Sequence, residues 1–320
     1  MKHAHNTVYA SEQVIPPNSF VQIGPDLAVS CPELLFAEMA TVLDLPQLLM
    51  LGHELCGEFS RDAGNPLNGP VTYWLKPVTT REKIGAYLEQ TRWLPGATLA
   101  WRALELLSDN AWSPTESVAA TIASLPIAEC GYELSPCVMN RRVAASEALA
   151  PAAATSSRVP DILFGDTNVG INYDGAVHLD LDSVVKAAME LERNPGSSAT
   201  AVALDEVVRS VRAKAVDDIR RNRELAAAGY IVFPVTKEDL YEEGGFDRVM
   251  VQVIEALEVF ARRDMGMYRS MMQSKFLSTK RQELIWSLLP GKHPDHVSYR
   301  REAMPYLYQP TEVREMTIGF

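Results

Sequence analysis

Residues 158–178, RVPDILFGDTNVGINYDGAVH, contain two short apolar runs separated by a turn, and this pattern restricts the folds that the chain can adopt. The runs are Ile162–Phe164 and Val169–Ile171, and the GDTN sequence between them is rich in turn-forming residues. We therefore predict a β-hairpin. Asp161 precedes the first run and Asp174 follows the second, so both acids should project from one end of a small sheet. They are either solvated carboxylates at strand ends or ligands for a hard cation, which needs oxygens from different segments.

The elements around this hairpin follow an order that indicates an α/β fold. A helix begins near Ser113 and a strand-like stretch follows it, before the hairpin. After the hairpin, a long helix through VDDIRRNRELAAAG should end at Gly229, a common residue at helix C-termini. Tyr230–Val235 is typical of a buried strand, and Phe246–Phe260 has the apolar spacing of a final helix. The order helix, strand, strand, strand, helix, strand, helix predicts helices packed on a sheet.

We divide the chain into three parts. Residues 1–108 form a mainly helical N-terminal region, and residues 109–262 form the α/β domain. Residues 179–216 are predicted to be a helical insertion within that domain, with a break at NPGSS. Residues 263–320 are predicted to be a basic C-terminal tail.

Charge is distributed unevenly along the chain, whose formal net charge is −11. Between Asp26 and Asp62 there are seven acids and one base, whereas between Arg262 and Arg301 there are nine bases and three acids. Phosphate contacts need clustered Lys and Arg, so a nucleic-acid face is expected only on the C-terminal side. The candidate residues there are Arg262, Arg263, Lys280 and Arg281. A solvated basic face without a partner is the alternative.

The sequence gives no sign of a membrane segment. No run approaches the roughly 18 apolar residues that a spanning helix needs, and the first residues lack the apolar core of a signal peptide. We therefore expect a cytoplasmic protein without a membrane partner. The four cysteines show no CxxC pairing, which favours reduced, buried thiols over a zinc site.

A set of motifs resembles a known family. SPTES, RVPD, INYDGAVH, DDIRRNREL, AAGYIVFPVT and EDL occur in the order found in the Vsr-like (very-short-patch-repair endonuclease-like) branch of the PD-(D/E)xK nuclease superfamily. This resemblance covers about Ala111 to Phe260. Upstream, LGHELCG and RWLPGATLAWRALELL resemble the helical region of AbiEi-like abortive-infection proteins. The resemblance implies a restriction-endonuclease-like core and a Mg²⁺- or Mn²⁺-dependent DNA endonuclease or nickase in phage defence or DNA repair.

The resemblance also assigns roles to particular residues. Glu116, Asp161 and Asp174 would hold the metal, Asn172 would be a neutral auxiliary ligand, and His178 would assist proton transfer or stabilise the phosphate. Such an ion polarises the phosphoryl oxygen and lowers the pKa of the attacking water.

Each assignment has a structural alternative. Ser113 to Glu116 is also a capping box with proline at the first helical position, which accounts for both residues without a metal. Asp174 precedes Gly175, and Asp-Gly is a frequent turn pair. His178 alone is more often a packed or solvent-exposed histidine.

Asn172 departs from the family pattern. The resemblance implies Glu or Asp two positions before Asp174, and an amide oxygen supplies neither a charge nor a base. In addition, Asp174 stands where many members of the superfamily have a lysine. The site either binds one Mg²⁺ weakly or is a decayed site on a retained fold.

The motif DDIRRNREL places further charged residues on one helix. Asp218 and Arg221 are three residues apart and can form an ion pair, whereas Arg221 or Arg223 can instead contact a phosphate. The alternative function is a non-catalytic DNA-binding or protein-interaction module, such as a regulator or an antitoxin-like partner. Convergence of Glu116, Asp161 and Asp174 would favour the enzyme, and a Glu116 that caps its own helix would favour the binding module.

Overall fold

The computed structural model describes residues 14–144, 156–173, 181–194 and 197–290. The N-terminal part contains two small hairpins and four helices. Its elements are β1 (Phe20–Gly24), β2 (Leu27–Ser30), α1 (Pro32–Met39), α2 (Leu45–Leu55), β3 (Phe59–Arg61), β4 (Val71–Tyr73), α3 (Arg81–Gln90) and α4 (Ala97–Leu106). The strands pair antiparallel, β1 with β2 and β3 with β4.

Side-chain caps determine where several of these helices begin. Asp44 accepts the backbone N–H of Gln47 at 3.0 Å, and the Gln47 amide oxygen accepts that of Asp44 at 3.3 Å. This reciprocal box satisfies amides that have no partner within the first turn of α2. α2 then buries Leu48 and Leu49 completely.

The C-terminal part contains the main sheet. Its elements are α5 (Pro114–Ser124), a short 3₁₀ helix (Ile127–Glu129), β5 (Cys137–Met139), β6 (Val143–Ala144), β7 (Ser157–Arg158), β8 (Ile162–Phe164), β9 (Val169–Tyr173), α6 (Leu181–Arg193), α7 (Ser198–Ala227), β10 (Ile231–Val235), α8 (Lys237–Tyr241), α9 (Gly245–Ala261), α10 (Gly266–Met272) and α11 (Lys275–Leu288).

The main sheet has four strands in the order β10-β9-β8-β5. β5, β8 and β9 pair antiparallel, and β10 is parallel to β9. The chain reaches β10 through the crossover that contains α6 and α7, as a parallel neighbour requires. The predicted hairpin is confirmed as β8–β9, with Ile162 opposite Ile171. The mixed α/β class is therefore confirmed.

One hydrophobic core joins residues from both parts of the chain. It includes Leu48 of α2, Leu104 of α4, Val118 of α5 and Phe164 of β8. The described residues of the predicted tail also contribute, since Leu284 and Ile285 of α11 are buried in it. The boundaries at 108 and 262 stay predictions, but the segment 263–290 is packed onto the body.

The helices of the predicted insertion are strongly exposed. α6 and α7 pack against each other. None of the described side chains between Val184 and Glu224 is buried, and the first buried residue of α7 is Leu225. The α7 helix is anchored near its end by Arg158 of β7, which donates to Glu224 at 2.7 Å and to Asp217 at 3.0 Å.

Within the described ranges, no helix combines the length and hydropathy needed to cross a lipid bilayer.

Candidate functional site

Glu116 lies at the N-terminus of α5, where both carboxylate oxygens accept hydrogen bonds. Ser113 Oγ donates to Oε1 at 2.9 Å, and the backbone N–H of Trp112 donates to Oε2 at 3.2 Å. Ser113 Oγ also accepts the N–H of Glu116 at 3.2 Å, which is the predicted cap. In a capping box, the carboxylate of Glu116 would also accept the backbone N–H of Ser113. Here it accepts the backbone N–H of Trp112 instead. Burial raises the pKa of Glu116, and the bonds from Asn140, Ser113 and Trp112 oppose that shift.

Asn140 connects Glu116 to the next strand. It directly follows β5 and is only 4% exposed. Its Nδ2 donates to Glu116 Oε2 at 2.9 Å and to the carbonyl of Asn110 at 2.8 Å. Its backbone N–H donates to the carbonyl of Asp161 at 2.9 Å. Sequence reasoning missed this residue, and its only signal is a polar residue directly after an apolar strand.

Asp161 and Asn172 face each other across the β8–β9 hairpin. The backbone N–H of Asp161 donates to Asn172 Oδ1 at 3.0 Å, and Asp161 Oδ2 accepts the N–H of Tyr173 at 2.5 Å. Asn172 is completely buried, and its Nδ2 donates to Asn222 Oδ1 of α7 at 3.4 Å. The amide of Asn172 therefore ties β8, β9 and α7 together.

These contacts form one hydrogen-bond network that spans five segments of the structure. The residues of this network are Glu116, Asn140, Asp161, Asn172 and Asn222. Three of the sequence-predicted site residues, Glu116, Asp161 and Asn172, are thus brought into one network. Asp174 and His178 lie outside the described residues.

The described part of the network does not make a metal site. Among the described residues, no group of three or more His, Cys, Asp or Glu side chains is arranged to hold a metal ion. The carboxylate of Glu116 already accepts three donors, and the Asn172 amide oxygen already holds the N–H of Asp161. The described residues hold two of the three carboxylates that the resemblance implies for Mg²⁺ or Mn²⁺, Glu116 and Asp161, so the metal site stays a prediction.

Comparison with known proteins assigns neither a family nor a function to this chain. No protein-family model, curated protein or solved structure matches this chain. The resemblance to Vsr-like nucleases therefore stays a prediction from the sequence motifs.

Tyr173 brings a neutral phenol to the same end of the sheet. Burial raises its pKa to about 12, and Tyr241, Glu238 and Tyr73 add to the shift, while a hydrogen bond with Thr115 opposes it. Tyr173 is therefore protonated at neutral pH and cannot act as a base in its resting state.

The predicted basic residues of α7 divide between pairing and exposure. Arg221 lies 3.5 Å from Asp218, and both side chains are partly buried. This is the structural pairing that the sequence offered as one alternative. Arg223 is exposed on the same helix.

The four basic residues predicted on the C-terminal side have different surroundings. Arg262 is exposed and ends α9. Arg263 lies against the β8–β9 turn, since a Cβ added to Gly165 would lie 2.4 Å from its Nη2. Lys280 forms an ion pair with Glu283 at 2.7 Å.

Arg281 is an inward-facing residue, which corrects the prediction that it forms part of a surface. Only 2% of it is exposed. Its guanidinium lies 4.1 Å from the ring centre of Tyr132, and it donates to the carbonyl of Cys130 at 2.8 Å and to Asp247 at 2.5 Å. These partners commit the guanidinium to the core, so it cannot meet a phosphate on the surface.

Proposed function

We propose that this chain is a DNA-binding module built on a restriction-endonuclease-like framework, and that it binds DNA without hydrolysing it. The observation that carries the proposal is the buried Asn172 amide. It stands where the resemblance implies a carboxylate, and both of its polar atoms have partners inside the protein.

The order of elements supports the nuclease-type framework. α5 precedes three antiparallel strands, α7 leads to a fourth strand parallel to β9, and α9 follows it. The motif residues of α5, β8, β9 and α7 lie in one hydrogen-bond network. Residues that are far apart in the sequence and meet at one sheet end are what a former or present active site requires.

The chemistry of Asn172 supports binding over hydrolysis. An amide has the size of a carboxylate and keeps one acceptor oxygen, which holds the N–H of Asp161, but its Nδ2 donates to Asn222 where a carboxylate could only accept. It adds no negative charge, and the attraction between a divalent cation and the site is reduced accordingly. Glu116 points the same way, because its carboxylate is used to cap α5.

DNA is the proposed ligand because the resemblance is to DNA-cleaving proteins and because basic side chains remain exposed. Arg223 of α7 and Arg262 at the end of α9 are exposed. With a net charge of −11, the contacts have to be local to such residues. A regulator or antitoxin-like partner in phage defence is the biological role that this activity fits.

The test combines binding and cleavage on the same preparation. Wild-type protein is mixed with labelled duplex and single-stranded DNA to measure affinity, and with supercoiled plasmid in Mg²⁺, Mn²⁺ or chelator to measure nicking. We expect the protein to bind DNA whether Mg²⁺, Mn²⁺ or chelator is present, and to show no metal-dependent nicking. A protein that binds neither the duplex nor the single strand at low salt would contradict the proposal.

A metal-dependent endonuclease or nickase is the second candidate, and Asp161 favours it. Asp161 lies at a strand start, tied to Asn140 and within the same network as Glu116. Nicking that requires Mg²⁺ or Mn²⁺ and disappears in Asp161→Ala would establish this function. The matched control is Asp166→Ala, which removes an exposed acid from the β8–β9 turn of the same hairpin.

A further inference from the structure

The β3–β4 hairpin presents an unusually exposed aromatic segment. Every residue from Thr72 to Val78 is exposed. Trp74 is 83% exposed and Tyr73 is 48% exposed, although large aromatic side chains are usually mostly buried. Lys76 lies two residues after Trp74 and is also exposed.

The backbone holds Trp74 outward at a conformational cost. Its φ is +63°, in the left-handed region that a bulky residue rarely adopts. The next residue fixes this geometry, because the N–H of Leu75 donates to the carbonyl of Glu58 at 3.0 Å. The N–H of Val78 donates to the carbonyl of Leu55 at 3.1 Å. Strain that the surrounding structure maintains is often found at binding sites.

The hairpin is tied directly to the candidate site. The N–H of Glu58 donates to the carbonyl of Ala111 at 2.8 Å, and the next residue, Trp112, donates its N–H to Glu116. Leu75 of the exposed segment donates its N–H to the carbonyl of the same Glu58, so two successive backbone hydrogen bonds lead from the segment to the start of α5. The aromatic segment is therefore linked through the backbone to the N-terminus of α5, which holds Glu116.

We infer that Tyr73 and Trp74 are a stacking platform for unpaired bases of single-stranded DNA, with Lys76 contacting the adjacent phosphate. The inference rests on the proposed function, and it adds the form of the nucleic acid and a contact surface in the N-terminal part. The charge distribution predicted a nucleic-acid face only on the C-terminal side, but stacking on aromatic rings does not need the clustered positive charge that phosphate contacts need. Proteins that bind single strands combine aromatic rings with cationic side chains, because every base has a π-face that can stack.

Two features favour a nucleic acid over an apolar protein partner. The segment contains a cation beside the aromatic pair, and it is linked through the backbone to residues that resemble a phosphodiester site. Duplex DNA is a poorer fit, since its bases are already stacked and their faces are not accessible.

The experiment measures the affinity of the full chain for fluorescein-labelled oligothymidylate and for a duplex of equal length. We expect tighter binding to the single strand. Trp74→Ala should weaken that binding by about fivefold to a hundredfold. Trp74→Phe should restore most of the affinity. The matched control is Phe20→Ala, which removes an aromatic side chain that is 55% exposed on β1.

Salt dependence separates stacking from charge. Trp74→Ala should leave the log–log slope of affinity against salt unchanged, whereas Lys76→Ala should reduce its magnitude by about 0.7, the value for one phosphate on a single strand. Thermal unfolding of each variant shows that it is folded.

The outcomes distinguish the two proposals. If the wild type binds neither DNA, the proposed function fails and the platform falls with it. If the wild type binds single strands and Trp74→Ala binds them equally well, the stacking platform is ruled out while the proposed function stands. The exposed Trp74 would then be expected to contact a protein partner.

Discussion

Oδ1 of Asn172 lies 3.0 Å from the backbone nitrogen of Asp161 and accepts its hydrogen. The two residues face each other across the β8–β9 hairpin, and Asp161 in turn holds the N–H of Tyr173. The side chain at position 172 thus maintains the geometry of the strand end. Whether it also meets a ligand depends on its charge, which a single substitution can change.

Asn172→Asp should reduce stability at pH 7 by about 2 kcal/mol, because it places a carboxylate in a fully buried position. Burial raises the pKa of such a carboxyl, so the loss should diminish as the pH falls towards the ordinary value of an aspartate. Mg²⁺ should recover part of the stability in this variant and none in the wild type. Urea unfolding with and without Mg²⁺ measures both effects.

Asn172→Ala is the control for this experiment, since it removes the same hydrogen bonds without adding a charge. It should lose stability by about 1 to 3 kcal/mol, independently of pH and of Mg²⁺. Equal responses of the two variants to Mg²⁺ would rule out a nuclease-type cation site at this position.

Glu116→Gln should leave stability at pH 7 nearly unchanged, because a glutamine can accept from Trp112 and Asn140 and donate to Ser113. The wild-type carboxyl has a pKa raised above its ordinary value of 4.5. It therefore binds its proton more tightly in the folded state, and the stability of the wild type falls as the pH rises through the interval just above 4.5. The glutamine variant should lack that dependence.

The pH profile of unfolding measures this difference. Glu116→Ala is the comparison, and it should cost about 1 to 3 kcal/mol because the donors of Trp112 and Asn140 lose their acceptor. A glutamine variant with the same pH slope as the wild type would show that Glu116 is not the source of it.

Arg281→Ala should destabilise the protein by about 3 to 5 kcal/mol, since it leaves Asp247 without the guanidinium that neutralises it. Lys280→Ala, one residue away, removes a partly exposed ion pair and should cost about 1 kcal/mol at most. Denaturant unfolding measures both. Similar losses in the two variants would contradict the inward-facing role of Arg281.

Replacing Arg223 and Arg262 by Glu should weaken DNA binding without a loss of stability, because both side chains are exposed. On duplex DNA, the log–log salt slope should fall in magnitude by about 0.9 for each lost phosphate contact. Affinity for unrelated sequences should fall alike, since phosphate contacts carry no direct sequence information. An unchanged slope would remove these two arginines from the DNA-binding face.

The local patterns of the sequence predicted more of the fold than of the site. The β8–β9 hairpin and the order of elements could be predicted because a turn cluster between apolar runs is a short-range signal. The role of Asn140 could not, because it depends on contacts with Asn110, Glu116 and Asp161 that only the folded chain brings together. Arg281 shows the same limit, since a basic residue in a basic segment gives no sign of its buried partners.

The exposed pair α6 and α7 has a consequence for how the molecule opens. Segments with few buried side chains unfold locally at a free energy well below that of the whole protein. The amide hydrogens of α6 and of the first half of α7 should therefore exchange with solvent much faster than those of β8 and β9. The change in rate should occur along α7 itself, between Asp217, where Arg158 anchors the helix, and Leu225, where burial begins. One continuous helix would then belong to two cooperative units, and a protease should cut its first half while the sheet is still folded.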